Sequence, residues 1–296
     1  MNHLDEFAIL TCQFSPVACR RTIENYHLFQ AALGPLESRL FSAEVAFDGQ
    51  DFQTDSQVKL RASNASRFWL KEWLLNLLLR QLPEQVRYVA WLDRDVVFHD
   101  QYWPERAAEL LDDGCAMVQL FSTVRSAGPN GETIAVDEGF ACAAEDGDDE
   151  KPGRPGFAWA ARRDYLSSVE FPSMNIVGGA DNNMAMAWTG GDLTDLWDRD
   201  RYAAGLRAWN EQWARRARAA MNGRRCGYVP GLLTHLWHGD RRNRRFNSRH
   251  AILEEAGFDP TRHIKVNADG LPELHGQPEL AERIRQYFAS RQEDGE

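Results

Sequence analysis

Apolar residues along the chain fall into short unbroken runs separated by segments of helical period. That alternation predicts βαβ units around a largely parallel sheet, an α/β fold. The run Phe7 to Cys12 reads as a strand buried on both faces. Thr22 to Leu33 keeps Ile23, Tyr26 and Phe29 at helical spacing and stops at Gly34-Pro35. A second strand is expected from Leu40 to Phe47. Phe68, Leu75, Leu78, Leu79 and Leu82 predict a helix from Asn64 to Leu82, ended by Pro83. Tyr88 to Leu92 is an all-apolar strand running straight into Asp93. Beyond it the pattern predicts a helix over Pro104 to Leu111 and strands over Met117 to Phe121 and Phe157 to Ala160. Helices are expected over Arg162 to Ser168 and Asp181 to Trp188, and Leu206, Trp209, Trp213, Ala217 and Met221 trace a helical face closed by Gly223. A strand over Leu232 to Trp237 and a helix over Ser248 to Ala256 follow.

Between Ser126 and Pro155 the composition turns to Gly, Pro, Asp and Glu, which predicts a mobile acidic loop over 126–156. It separates a nucleotide-binding half, 1–125, from a second half, 157–296, that completes the site, all within one domain. The start, MNHLDEFAILTCQF, has no basic segment followed by an apolar one, and no apolar stretch is long enough to span a bilayer. The five cysteines are scattered, without a C-x-x-C pair, and read as reduced thiols in a cytoplasmic protein. A net charge of −10 argues against obligate nucleic-acid binding. Against that balance, the region from Arg199 to Arg249 is dense in arginine, which suggests a local anionic partner or a solvated face paired with the acidic remainder.

The strongest local motif is YVAWLDRDVVF. In an extended segment residues i and i+2 point the same way, so Asp93 and Asp95 leave the end of a buried strand together. In open α/β sheets ligands bind at that edge. Paired carboxylates there suit Mg²⁺ or Mn²⁺ bridged to phosphate oxygens, and two exposed loop acids are the plainer reading. In VGGADNNMA, Gly178-Gly179 allow close approach to a ligand. Asp181 there either caps the following helix or serves as a general base. HLWHGDRRNRR carries His235 and His238. Strand alternation sends them to opposite sides unless the strand ends first, so His238, beside Gly239, is the expected metal ligand. Arg241, Arg242 and Arg244 are candidates to clamp a diphosphate, and these arginines with the acidic segment 145–150 to form a lid over it. Lys71 either reaches a phosphate or sugar or sits on a solvated helix face, and Trp159 either borders a sugar pocket or belongs to the core.

The stretches SNASRFWLKEWLLN, WLDRDVVF, VQLFS, RPGFAWAARRDYL, VGGADNNMA and HLWHGDRRNRRF resemble the GT-A glycosyltransferase superfamily, in a bacterial and phage branch. The resemblance implies a nucleotide-diphospho-sugar transferase fold, with Asp93 and Asp95 on the metal-binding Asp-x-Asp. It puts Asp181 on the acceptor-activating acid, a late histidine on the metal, and Thr11, at the end of the first strand, near the nucleotide base. It also implies a hexosyltransferase-type activity using Mn²⁺ or Mg²⁺. The donor would be a nucleoside-diphosphate sugar, UDP-linked by expectation. The acceptor would be a hydroxyl on a glycan, lipid-linked glycan, small molecule or modified nucleic acid. Asn182 and Asn183 stand where some families carry further acids. Two alternatives share parts of this pattern. A haloacid-dehalogenase-like phosphatase would use Asp93 as nucleophile, but its acidic pair normally ends the first strand, whereas two strand-like runs precede this one. A non-catalytic sugar-nucleotide-binding module would not need Asp181 and the histidines.

Overall fold

The computed structural model describes residues 3–146 and 153–295. Thirteen strands are present among them: β1 (Phe7–Phe14), β2 (Leu40–Phe47), β3 (Val58–Ala62), β4 (Tyr88–Leu92), β5 (Val96–Phe98), β6 (Cys115–Gln119), β7 (Thr123–Ala127), β8 (Thr133–Glu138), β9 (Ala158–Arg162), β10 (Arg225–Tyr228), β11 (Leu232–His235), β12 (Ile264–Val266) and β13 (Pro272–Leu274). The main sheet runs β10-β6-β9-β4-β1-β2-β3. All its pairings are parallel except those of β9, which is antiparallel to both neighbours. A smaller sheet runs β5-β11-β7-β8, and β12 pairs with β13. The expected α/β class with a mixed, mostly parallel sheet is therefore observed.

Every residue of β1 is buried because both faces of the sheet are covered. Ala8, Leu10 and Phe14 pack into one core with Leu74, Leu75 and Leu78 of helix Lys71–Gln81, while Phe7 and Ile9 pack into another with Phe29 and Trp103. A fully buried leucine contributes about 1.5–3 kcal/mol by leaving water. These two layers hold the strand ends rigid. The chain runs outward from β1 through β2 to β3, then crosses back to lay β4 on the other side of β1. That reversal opens a crevice at the C-terminal ends of β1 and β4. No described helix is long and apolar enough to cross a membrane.

Three expectations change. The helix predicted from Asn64 begins at Lys71; Asn64–Ser66 is a separate 3₁₀ turn. The Trp69 N–H is drawn out to the Ile176 carbonyl (2.9 Å), and Phe68 and Leu70 are pulled into the core. The acidic stretch 126–156 is not a plain loop. It contains β8, hairpinned onto β7, and helix Phe140–Asp146, whose Ala141, Cys142 and Ala143 are buried. The apolar alternation Ile134, Val136 was hidden among turn formers. Residues 147–152 of that stretch lie outside the described residues, and with them most of the expected lid loop. Finally, β11 stops at His235 instead of Trp237. All five cysteines are free, as expected.

Candidate functional site

Asp95 is placed by both sheets. It follows β4 of the main sheet and directly precedes β5, which pairs antiparallel with β11 so that His235 stands opposite Val96. The Leu236 N–H then donates to the Asp95 carbonyl (2.7 Å), the strand ends, and the chain turns. Because it turns, the alternation that would have separated the histidines no longer applies. His238 Nε2 comes to 2.9 Å from Asp95 Oδ2 and His235 Nε2 to 3.8 Å from Asp95 Oδ1. The two ring nitrogens are 3.3 Å apart. All three residues are buried, and their ligating atoms lie within 4.8 Å of one another.

The chemistry of this donor set fits a divalent cation. Asp95 Oδ1 is buried without a hydrogen-bond partner. Burial pushes His235 down to about 3, so its ring is neutral with a lone pair to offer. His238 Nδ1 is fixed by Glu293 Oε1 at 3.1 Å, which leaves Nε2 facing the cluster. A carboxylate behind a ligating imidazole sets the ring's orientation and raises its basicity. Arg291 Nη2 in turn donates to Glu293 at 2.5 Å. Arg244 Nη2 also reaches His238 Nε2, at 2.7 Å, so this guanidinium must swing aside before Nε2 can take an ion.

Beside the cluster lies a second constellation. Lys71 Nζ donates to Asp93 Oδ1 at 2.7 Å and to Asp181 Oδ1 at 3.0 Å. A cation at the first residue of a helix opposes the helix dipole. Burial alone would also lower the Lys71 pKa, but Asp181, Asp93 and Glu72 together hold it protonated well above its usual value. Asp93 is raised by its burial, against the pull of Lys71. Asp181 does not cap its helix. Ala180–Thr189 starts from Gly179 in the left-handed region with no side-chain cap, and the Asp181 carboxylate turns to Lys71 instead. Gly179 is required there. Its φ is +102°, and a Cβ would meet the His250 ring at 2.9 Å and the Tyr202 hydroxyl at 3.0 Å. Gly179→Ala should therefore lower unfolding free energy by about 1–3 kcal/mol through backbone strain and this clash, measured by urea titration. An unchanged midpoint would show that the turn relaxes.

Both constellations line one cavity of about 530 Å³, together with Trp69, Phe246 and several arginines. Of the expected site residues, Asp93, Asp95, Lys71, Asp181, His238 and Arg241 all line it. Three expected residues do not. Thr11 is fully buried and its hydroxyl donates to the Leu92 carbonyl (2.8 Å), where it ties β1 to β4. Trp159 belongs to the core, its ring 5.1 Å from Trp188 and its N–H on the Pro155 carbonyl. Arg242 points to solvent and pairs with Asp240. The expected ligand set Asp93, Asp95 and His238 also changes: His235 joins the cluster, and Asp93 is taken by Lys71. Arg244, expected to clamp a diphosphate, reaches His238, and Glu293 and Arg291 were not anticipated. Only the His-Gly pair at 238–239 hinted at them, since a Cβ on Gly239 would lie 2.7 Å from the Gln292 carbonyl, where the C-terminal segment passes.

No protein-family model and no curated protein matches the sequence. Among solved structures the chain is similar to a 4-diphosphocytidyl-2C-methyl-D-erythritol synthase from Anaerococcus prevotii, with 8% identity and a TM-score of 0.35 over 76% of this chain and 88% of that one. It is also similar to a protein from Bacillus anthracis described as a glucose-1-phosphate thymidylyltransferase, with 8% identity and a TM-score of 0.33 over 78% and 89%. A third is the catalytic domain of Drosophila β1,4-galactosyltransferase 7, with 12% identity and a TM-score of 0.30 over 63% of this chain and 62% of that one. The chain thus spans 62% of the galactosyltransferase chain it matches. Neither an activity nor a ligand follows from overlaps at these scores. The chain is an α/β protein with a mixed, mostly parallel sheet, and its buried acids and histidines meet where the strand order reverses.

Proposed function

We propose that this protein is a metal-dependent glycosyltransferase that moves a hexose from a nucleoside-diphosphate sugar, UDP-linked by expectation, to an acceptor hydroxyl. The observation that carries the reading is the convergence of Asp95, His235 and His238 in one cavity with Asp181. Asp95, His235 and His238 would hold the ion, and two imidazoles with one carboxylate favour Mn²⁺ over Mg²⁺. A divalent ion there supplies charge neutralisation for a leaving diphosphate, worth several kcal/mol. Arg241 faces the same cavity and matches phosphate geometry. Asp181, kept in place by Lys71, would take the proton of the acceptor hydroxyl. The acceptor would be a glycan, lipid-linked glycan, small molecule or modified nucleic acid.

The test is a panel of nucleotide sugars with Mn²⁺, read by release of nucleoside diphosphate. Undiminished transfer by metal-free protein in EDTA would refute the metal's part. Tight beryllium fluoride binding with hydrolysis of generic phosphate esters would favour a phosphatase built on Asp93. Nucleotide binding without any turnover would leave a binding module.

Glu293 provides a further check that does not depend on turnover. Glu293→Ala should weaken Mn²⁺ binding by about 10–100-fold, the usual effect of losing a carboxylate behind a ligating histidine, with Glu293→Gln falling between. Calorimetric titration measures this, and equal affinities in all three proteins would remove Glu293 from the site.

A further inference from the structure

Arg249 lines the cavity at its Gly178 end, and nothing in the proposed transfer uses it. The residue is 7% exposed, its buried Nε has no hydrogen-bond partner, and its guanidinium forms no ion pair with a described acid. A Cβ on Gly178 would lie 3.4 Å from Arg249 Nη1 and 3.6 Å from the Trp69 ring, so the guanidinium sits against the glycine turn that leads to Asp181. Its surroundings offer no counter-charge. Asp200, a buried acid that also lines the cavity, is taken by Arg199 at 2.8 Å. His250, the next residue, donates to the Gly178 carbonyl at 3.0 Å and stacks on Tyr202 at 3.8 Å. The Phe246 ring carries Arg249 at 5.3 Å and Arg241 at 5.9 Å, so two guanidiniums share one aromatic support at the cavity wall. A buried cation without a partner is costly, and proteins keep one where a ligand supplies the partner.

We propose that Arg249, with Arg241 on the same Phe246 ring, forms an oxyanion site inside the cavity that binds a phosphate-type group of a ligand. The guanidinium fork suits that group, and the cation–π support holds the Arg249 fork without neutralising it, while Arg241 also stands 3.7 Å from Asp137. The site is distinct from the Asp95, His235 and His238 cluster, and it needs no metal. Two sources have this chemistry: the diphosphate of the donor, and a phosphate or carboxylate on the acceptor. The second would make the acceptor itself an anion, bound on the Asp181 side. That assignment rests on the glycosyltransferase reading, but the site itself does not.

Inorganic pyrophosphate in EDTA is the first probe, titrated calorimetrically into the whole protein and into Arg249→Met, which keeps the bulk and removes the charge. The expected result is at least a 10-fold loss of pyrophosphate affinity in Arg249→Met, with a melting temperature in chloride buffer equal to or above that of the parent. Affinity unchanged within twofold overturns the proposal. So does an Arg249→Met protein that melts well below the parent without any anion, since the cation would then be structural. Should Arg249→Met fail to fold, Arg249→Lys decides. It keeps the charge, loses the fork, and should bind pyrophosphate several-fold more weakly; parental affinity would overturn the site. UDP with Mn²⁺ then separates the sources. A parallel 10-fold loss assigns the anion to the donor, and undiminished UDP binding assigns it to the acceptor. A pyrophosphate response with no turnover of any nucleotide sugar would sink the glycosyltransferase reading and leave the site standing. Turnover with no role for Arg249 would do the reverse.

Discussion

Asp95→Ala is expected to abolish tight Mn²⁺ binding and to reduce sugar transfer about 10³-fold or more. Asp95 brings the only carboxylate of the three-residue cluster, and its oxygens face both histidines, at 2.9 Å and 3.8 Å. Without it, His238 and His235 remain, oriented by Glu293 and by the end of β11, but the cluster has lost its carboxylate. Losing a ligating carboxylate should cost more than the roughly 10–100-fold of an outer partner. If charge neutralisation at the diphosphate is worth several kcal/mol, on the order of 4, its loss corresponds to about 10³-fold in rate. Two measurements are needed: a calorimetric Mn²⁺ titration and the rate of nucleoside diphosphate release at saturating donor. A thermal melt in EDTA should show the variant folded, since Leu236 bonds the Asp95 carbonyl and not its side chain. Parental Mn²⁺ affinity in this variant would remove the cluster from the metal site.

The second large effect is expected at Asp181. Asp181→Asn should reduce transfer by about 10²–10⁴-fold, the range for loss of a positioned general base, while UDP–Mn²⁺ binding changes by no more than about threefold. Asparagine keeps the shape and can still accept a hydrogen bond from Lys71, now 3.0 Å from the carboxylate, so the neighbourhood should survive. That separates two roles. If Asp181 serves only to hold Lys71 for the donor, nucleotide affinity and transfer will fall together. If it takes the acceptor proton, turnover falls alone, and slow hydrolysis of the donor by water persists. A kcat close to that of the parent would eliminate it as the base.

Much of the frame is legible locally. The runs at β1, β2 and β4 are buried on both faces, and an unbroken apolar run of that length records it directly. The period of the long helix Ala204–Met221 and the closing Gly223 record another face. Asp93 and Asp95 are visible for the same reason: a polar pair directly after such a run can only lie at the strand's edge. These are properties of neighbours in the chain, and side-chain periodicity reports them.

What the sequence determined by itself is thus the central strands β1, β2 and β4, the edge at which the acids emerge, and the glycine turn before Asp181. The tertiary structure decided which partners those acids take. Whether one histidine or two reach Asp95 depends on where β11 stops. That is set by its pairing with β5, some 135 residues away in the chain, and not by any residue in HLWHGD. Lys71 looked like part of a helix face and proved to be its first residue, because Trp69 is bonded to Ile176. Thr11 and Trp159 looked available and are consumed by strand pairing and core packing. Glu293 and Arg291 left no local signature, since their roles come from a C-terminal segment folding back over the cavity. Periodicity encodes which face of an element is buried; the neighbour it is buried against is fixed only when the elements dock.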